Sequence, residues 1–311
     1  MSNGRVPFPA GTSPPLAALR GAGKRYGAVA ALVDVDVDVR AGEVLAVLGA
    51  NGAGKSTALG LLTGRIGADS GRAELFGGDP RNAVARRGIG VMLQETRLPD
   101  TLRVAEHIHL FSSYYADPRP VAQTLELAGL TEIAKRPYAA LSGGQQRRVQ
   151  FALAICGRPA LLFVDEPTVG LDVEARRGVW QVLRQLRDDG AGIVLTTHYL
   201  EEADALADRV VLLAGGRVLA QDTAAGIKSR AASVQVRART TLDLAQVAAF
   251  AEAESVALED GVTRVHCRRP EALLRRWLAA DAHLADLDVR GLNLEDAFVS
   301  LTASHARATQ P

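Results

Sequence analysis

The sequence predicts an α/β fold, a mixed and largely parallel sheet covered by helices, followed by a small C-terminal α+β domain. Three observations carry this expectation. Residues 44–48, 161–164 and 193–195 are unbroken apolar runs, the mark of strands buried on both faces, and helical periodicity such as that of 174–187 lies between them. Val33, Val35, Val37 and Val39 alternate with Asp34, Asp36 and Asp38. That period of two predicts an antiparallel strand with valines on one face and carboxylates in water. After Lys228 the pattern changes to short strand-like runs alternating with helical stretches.

Taken in order, residues 1–15 contain Pro7, Pro9, Pro14 and Pro15 but no apolar core, and read as a disordered tail rather than a signal peptide. Residues 16–20 read as a first short strand. The segment 101–130 lacks β-branched clusters, is punctuated by Pro118 and Pro120, and reads as a helical insertion. Residues 210–214 and 217–220 flank Gly215-Gly216, a two-residue hairpin signal. In the C-terminal part, strands are expected at 233–237, 262–267 and 285–289, and helices at 242–252, 270–279 and 294–301. No internal repeat is visible.

Among the 311 residues, 36 lysines and arginines face 35 acids, a net charge of +1, so charge supplies no footprint for nucleic acid or an anionic membrane. A hydrophobic content of 48% suits a packed core and excludes low-complexity disorder for the bulk of the chain. No apolar run approaches the roughly 18 residues that a membrane-spanning helix needs. Cys156 and Cys267 lie far apart and form neither a disulfide framework nor a zinc spacing.

Gly49-Ala50-Asn51-Gly52-Ala53-Gly54-Lys55-Ser56-Thr57 matches GxxxxGK[ST] and sits between a buried strand and an apolar helical stretch at 58–62. The glycines let successive amides curl inward toward phosphate oxygens, and the following helix adds its positive end. Lys55 supplies a compact charge to the β- and γ-phosphates, and Ser56 offers a hydroxyl to Mg²⁺. Lysine is rare here, at Lys24, Lys55, Lys135 and Lys228 alone, so its place in this loop is not background abundance. At the end of the run 161–164, Asp165 and Glu166 precede Pro167. Alone this is either a turn with two solvated acids or a catalytic pair. Beside a phosphate loop it reads as catalytic, Asp165 helping to hold hydrated Mg²⁺ and Glu166 orienting or deprotonating the attacking water.

The run Leu141-Ser142-Gly143-Gly144-Gln145 opens a helical stretch with a hydroxyl and two glycines, a second place where amides face an anion. With it the sequence resembles the nucleotide-binding subunit of an ATP-binding cassette (ABC) transporter, whose LSGGQ signature is complete here. The resemblance covers residues 16–228 and implies a P-loop NTPase cassette with a mixed sheet core, an antiparallel β subdomain and a helical subdomain at about 95–158, leaving 229–311 as an accessory α+β domain. It implies ATP and Mg²⁺ as ligands, Tyr26 stacking on adenine, Gln94 touching Mg²⁺ and reporting to a membrane partner, His198 contacting the γ-phosphate, and Gly170-Leu171-Asp172 crossing between subunits.

The segment 294–302, Leu-Glu-Asp-Ala-Phe-Val-Ser-Leu-Thr, resembles the tail of drug- and antibiotic-resistance exporter ATPases of the daunorubicin-resistance type, although Ala297 stands where a bulkier apolar residue is expected. Read without the family, 294–301 is an amphipathic helix. The resemblance further implies a head-to-tail dimer of two copies with ATP between Lys55 of one and Ser142 of the other. It also implies a separate membrane permease docking beside Gln94, with Leu98-Pro99 as an apolar contact, a cytoplasmic location on the inner face of the membrane, and no nucleic-acid partner. A non-transport ABC ATPase acting on nucleic acid or ribosomes, and an importer ATPase, remain as alternatives. A P-loop GTPase is disfavoured because no NKxD guanine-reading motif occurs.

Overall fold

The computed structural model describes residues 14–94, 96–230 and 234–291. They divide into two compact units, the break falling between Thr223 and Ala224.

The first unit runs β1 (Ala17–Tyr26), β2 (Val29–Val39), β3 (Val44–Leu48), α1 (Lys55–Leu62), β4 (Ser70–Leu75), α2 (Ala83–Arg86), β5 (Ile89–Met92), α3 (Val104–Ser112), α4 (Val121–Leu127), α5 (Gly143–Ile155), β6 (Leu161–Asp165), α6 (Val173–Asp188), β7 (Gly192–Thr197), α7 (Leu200–Leu206), β8 (Arg209–Ala214) and β9 (Arg217–Asp222). A six-stranded sheet has the order β5-β6-β7-β3-β8-β9, and β2-β1-β4 form a second, antiparallel sheet. In the large sheet every neighbouring pair is parallel except the β8–β9 hairpin.

Every residue of β3, β6 and β7 is buried, which is why these strands read as unbroken apolar runs. Their alternate side chains feed two cores. Val44, Leu162 and Val164 join Val104, Ile108, Leu125 and Phe151 of the helical layer. Leu45, Val47 and Phe163 join Leu19, Val35, Leu59 and Val211 on the other side.

The valine–aspartate alternation holds less strictly than expected. Asp34 sits at φ 53, and the register moves from Ala22↔Val35 to Lys24↔Leu32, so β2 carries an extra residue there. The bulge puts Leu32 and Val35 in the core and lifts Val33 out of it, while the Val33 amide donates to the Gly216 carbonyl at 2.8 Å. The carboxylates are not simply solvated either. Asp36 accepts from the Gly21 amide at 2.9 Å, and Asp38 pairs with Arg40 and Arg209. The first strand extends beyond 16–20 to Tyr26, and the sequence reading contained no counterpart to β4.

The second unit contains α8 (Ala224–Arg230), β10 (Val234–Arg239), α9 (Leu244–Ala248), β11 (Ala253–Glu259), β12 (Val262–Cys267), α10 (Pro270–Ala280) and β13 (Ala285–Gly291). Its antiparallel sheet has the order β11-β12-β10-β13. Val236, Ala238, Val265 and Cys267 pack with Val247 and with Leu273 and Trp277, one helical turn apart on α10. The helix expected over 242–252 is shorter, capped by a reciprocal Asp243–Gln246 box. Residues 249–252 form a turn instead, which leads into β11, an edge strand that lies largely outside the core and so lacks the apolar alternation that would have marked it. The helix expected at 294–301 and most of the tail expected at 1–15 lie outside the described residues.

Strand β5 is held tightly against α5. A Cβ on Gly90 would collide with the Ala154 carbonyl oxygen and meet Leu162 Cδ1 at 3.0 Å. Gly90→Ala is expected to cost about 2–3 kcal/mol in urea unfolding of the full chain; a loss below about 0.5 kcal/mol would contradict this packing.

Candidate active site

The strand order places the chemistry. Gln94 follows β5, Asp165 ends β6, Glu166 follows it, and His198 follows β7. Because β6 lies between β5 and β7, the residues leaving those two neighbours flank the one leaving β6. The next strand, β3, leads into the phosphate loop, with Leu48 in register with Thr197 and Asp165 with Thr196. All these groups therefore gather at the carboxyl ends of adjacent parallel strands, where open α/β sheets bind ligands.

The loop is built by close approach. A Cβ on Gly49 would lie 2.5 Å from the Leu213 carbonyl oxygen, and one on Gly54 would lie 2.6 Å from that of Ala31. Gly52 and Gly54 take φ values of 80° and 108°. Gly54 is the N-cap of α1 and brings no side-chain cap, so the first-turn amides stay available to an anion. Lys55 is buried, its Nζ donating to the carbonyls of Gly49 at 2.7 Å and Ala50 at 3.2 Å. Asn51 and Ser56 are exposed at the mouth, Thr57 is half-buried, and Ala53 is buried. Tyr26, at the end of β1, is half exposed with Lys24 Nζ 5.8 Å from its ring centre.

Glu166 is buried and non-glycine yet has φ 51, a backbone state that costs an L-residue about 1–2 kcal/mol. Its amide donates to the Thr196 carbonyl at 2.9 Å. Its carboxylate is held from both sides, Oε2 accepting from Gln94 Nε2 at 3.4 Å and Oε1 lying 3.0 Å from His198 Nδ1. The Tyr199 ring lies 4.2 Å from that of His198. Asp165 is buried, and the Thr196 hydroxyl donates to its Oδ1.

The other expected residues lie elsewhere. Ser142 caps α5, its Oγ accepting from the Gln145 amide at 3.3 Å while Gln145 Oε1 accepts from the Ser142 amide at 3.0 Å. Gly143 and Gly144 form the first turn of that helix, and a Cβ on Gly144 would lie 3.1 Å from the Gly170 carbonyl oxygen. Asp172 caps α6, accepting from the Ala175 amide at 2.8 Å. Among the described residues, no hydrogen bond joins the side chains of Ser142, Gln145 or Asp172 to the Gln94–Glu166–His198 cluster. Leu98 is buried in the helical core, so the expectation of an apolar docking contact there does not hold; Pro99 remains exposed.

Comparison with known proteins places the fold. The ABC transporter family matches residues 32–169. The chain is 35% identical over 304 residues to the daunorubicin/doxorubicin resistance ATP-binding protein DrrA of Streptomyces peucetius, covering 91% of each. The chain belongs to the ABC transporter ATP-binding family. It is also 38% identical over 222 residues to the Nod factor export ATP-binding protein I of Ralstonia nicotianae, covering 69% of each chain. A dimeric ATP-binding cassette solved in a post-hydrolysis state with ADP and Pi superposes with a TM-score of 0.62 at 26% identity, over 67% of this chain and 98% of that one. Members of the family hydrolyse ATP, so this cassette is an ATPase.

Two buried groups escaped the sequence reading. Arg147 of α5 sends Nη1 to the carbonyls of Leu93 at 2.9 Å and Gln94 at 3.0 Å, and Nη2 to those of Asp165 and, at 2.7 Å, Glu166. The second is Glu202 of α7, which accepts from Thr168 Oγ1 at 2.9 Å and Trp180 Nε1 at 3.0 Å. Glu202 thereby joins the helix after His198 to the turn after Glu166. The available signal was helical spacing, which puts Arg147 one turn before the buried Phe151.

Burial pushes the Glu202 carboxyl up from its ordinary value of 4.5, against the lowering effect of its hydrogen bonds. The folded state therefore holds this proton more tightly than the unfolded chain. Its stabilising contribution is complete below pH 4.5 and is lost as pH rises through the folded value. Glu202→Gln should remove that slope, so its unfolding free energy relative to wild type should rise between pH 5 and neutrality. A pH-independent difference in urea unfolding would contradict it.

Proposed function

We propose that the cassette hydrolyses ATP to power export through a separate membrane permease. The observation that carries this reading is the Glu166 carboxylate, held between the Gln94 amide and the His198 ring beside the phosphate loop. The loop amides and Lys55 bind the phosphates, and the exposed Tyr26 ring offers a face to adenine. Glu166 takes a proton from the attacking water as its oxygen bonds to the γ-phosphorus and the bond to the bridging oxygen breaks, leaving ADP and phosphate. With Nδ1 turned to Glu166, His198 keeps Nε2 for a γ-phosphate oxygen.

Asp165, Ser56 and the Gln94 amide oxygen are hard oxygen donors and would hold Mg²⁺. The Thr196 hydroxyl on Asp165 supplies the supporting contact such a ligand needs. When bound, Mg²⁺ neutralises charge on the β- and γ-phosphates.

One chain leaves half of its recognition surface unused. Ser142, Gly143, Gly144 and Gln145 at the start of α5, and Asp172 at the start of α6, are placed to meet nucleotide held by a second copy packed head to tail. The dimeric state of the related cassette supports this arrangement. Two relatives, named for drug resistance and for export, support an exporter over an importer or a nucleic-acid-directed ATPase. Among the described residues no helix is long and apolar enough to cross a membrane, so the translocation path in this proposal belongs to the permease, with the cassette on its cytoplasmic side.

Sedimentation of the full chain with a non-hydrolysable ATP analogue and Mg²⁺ tests the shared site. Wild type should shift to a dimer, while Ser142→Arg should bind the analogue with affinity within about twofold and stay monomeric, because the longer cation fills the space of the partner's γ-phosphate. Undiminished dimerisation of Ser142→Arg would remove the signature run from the interface.

A further inference from the structure

The helix that presents Ser142 also carries Arg147, and this side chain connects α5 to the catalytic cluster at several points. Arg147 is more than nine-tenths buried. Its Nη1 holds the carbonyls of Leu93 and Gln94, and the side-chain oxygen of Gln150 at 3.0 Å. Its Nη2 holds the carbonyls of Asp165 and Glu166. These acceptors belong to two chain segments, the one leaving β5 and the one leaving β6.

The contacts close a ring. Arg147 grips the backbone of Gln94, the Gln94 side chain grips the Glu166 carboxylate, and the Glu166 carbonyl returns to Arg147. Glu166 gains a second constraint from the same group. Its φ of 51 is held by an amide bond to Thr196 on one side and by the Arg147 bond to its carbonyl on the other. The two terminal nitrogens reach all five acceptors, Nη1 sharing its two N–H groups among three of them while the buried Nε has no hydrogen-bond partner. Holding two chain segments at once needs the fixed, planar spread of a guanidinium, which a point-like ammonium does not have. Burial draws the Arg147 guanidinium down from the usual arginine range, and the facing Asp165 and Glu166 carboxylates, with Tyr138 and Glu202, oppose that effect.

We propose that Arg147 is a positioning residue for hydrolysis: it fixes Gln94 and Glu166 in their reactive pose and passes movement of α5 to them. The proposal rests on the reading of Glu166 as the base. It makes the pose of one copy's base depend on α5, whose first turn meets the nucleotide of the other copy. Arg147 touches no substrate, so its loss acts on turnover rather than on binding.

The test measures ATP hydrolysis against MgATP concentration, MgATP affinity and thermal unfolding for the full chain as wild type, Arg147→Gln and Arg147→Lys. The expected result is a kcat at least tenfold lower in Arg147→Gln, with MgATP affinity within twofold of wild type. Arg147→Lys should fall between the two, because an ammonium reaches some of the carbonyls and not all. A kcat within twofold of wild type in Arg147→Gln overturns the proposal, as does a loss of affinity in step with kcat. Loss of cooperative unfolding in both variants overturns it too, making Arg147 a folding residue. A wild-type chain that binds MgATP and does not hydrolyse it strikes instead at the underlying reading of Glu166, and this proposal falls with it.

Discussion

The left-handed backbone at Glu166 is the constraint on which the rest of the site depends. A buried strand delivers the chain to that point, and the left-handed turn ends it one residue after Asp165. The energy needed to hold an L-residue there, about 1–2 kcal/mol, is supplied by neighbours that fix its amide, its carbonyl and both carboxylate oxygens. Each neighbour is in place because of strand order. Placing β6 between β5 and β7 means that the loops after those strands have no other course than past Glu166. The same packing that makes the strands unbroken apolar runs thus builds a polar cluster at their ends.

This explains which parts of the site were legible in the sequence. Glu166 and the Gly49–Thr57 loop each follow an apolar run, and both the run and the polar residues ending it are local signals, whereas Gln94 and His198 were legible only through the family resemblance. The structure brings Gln94 and His198 to one carboxylate. Arg147 carries no such signal, because an arginine in a helix reads as a solvated face unless its acceptors are known, and the four carbonyls among them belong to other segments of the chain. Glu202 escaped for the same reason, its partners Thr168 and Trp180 becoming neighbours only on folding. At the level of fold, the large sheet was legible, since burial on both faces leaves a strong pattern. Strands β4 and β11 were not, since both stand at sheet edges and keep few buried positions. The bulge at Asp34 was hidden inside an otherwise regular alternation, which one extra residue shifts by a face.

The signature run and the loop before α6 present a different problem. Both begin helices, both are satisfied locally by their own caps, and the two pack together where Gly170 approaches Gly144. Within a single chain Leu141 packs in the helical core, Gly144 meets Gly170 closely, and Ser142 and Gln145 close the capping box. Gly143, whose Cβ would meet nothing within 4 Å, is the position that this packing leaves unexplained. That position is what the proposed second copy accounts for. On this view the cassette holds two half-sites: one shaped by strand ends for chemistry, the other by helix starts for recognition. Helix α5 runs between them.

The most direct measurement of the central claim is single-turnover hydrolysis by Glu166→Gln beside wild type, with MgATP binding followed on the same samples. The account predicts that the variant binds MgATP with affinity within about twofold of wild type and hydrolyses it at least about 100-fold more slowly, the range expected for loss of a general base. Hydrolysis at the wild-type rate by a variant that still binds MgATP would contradict it.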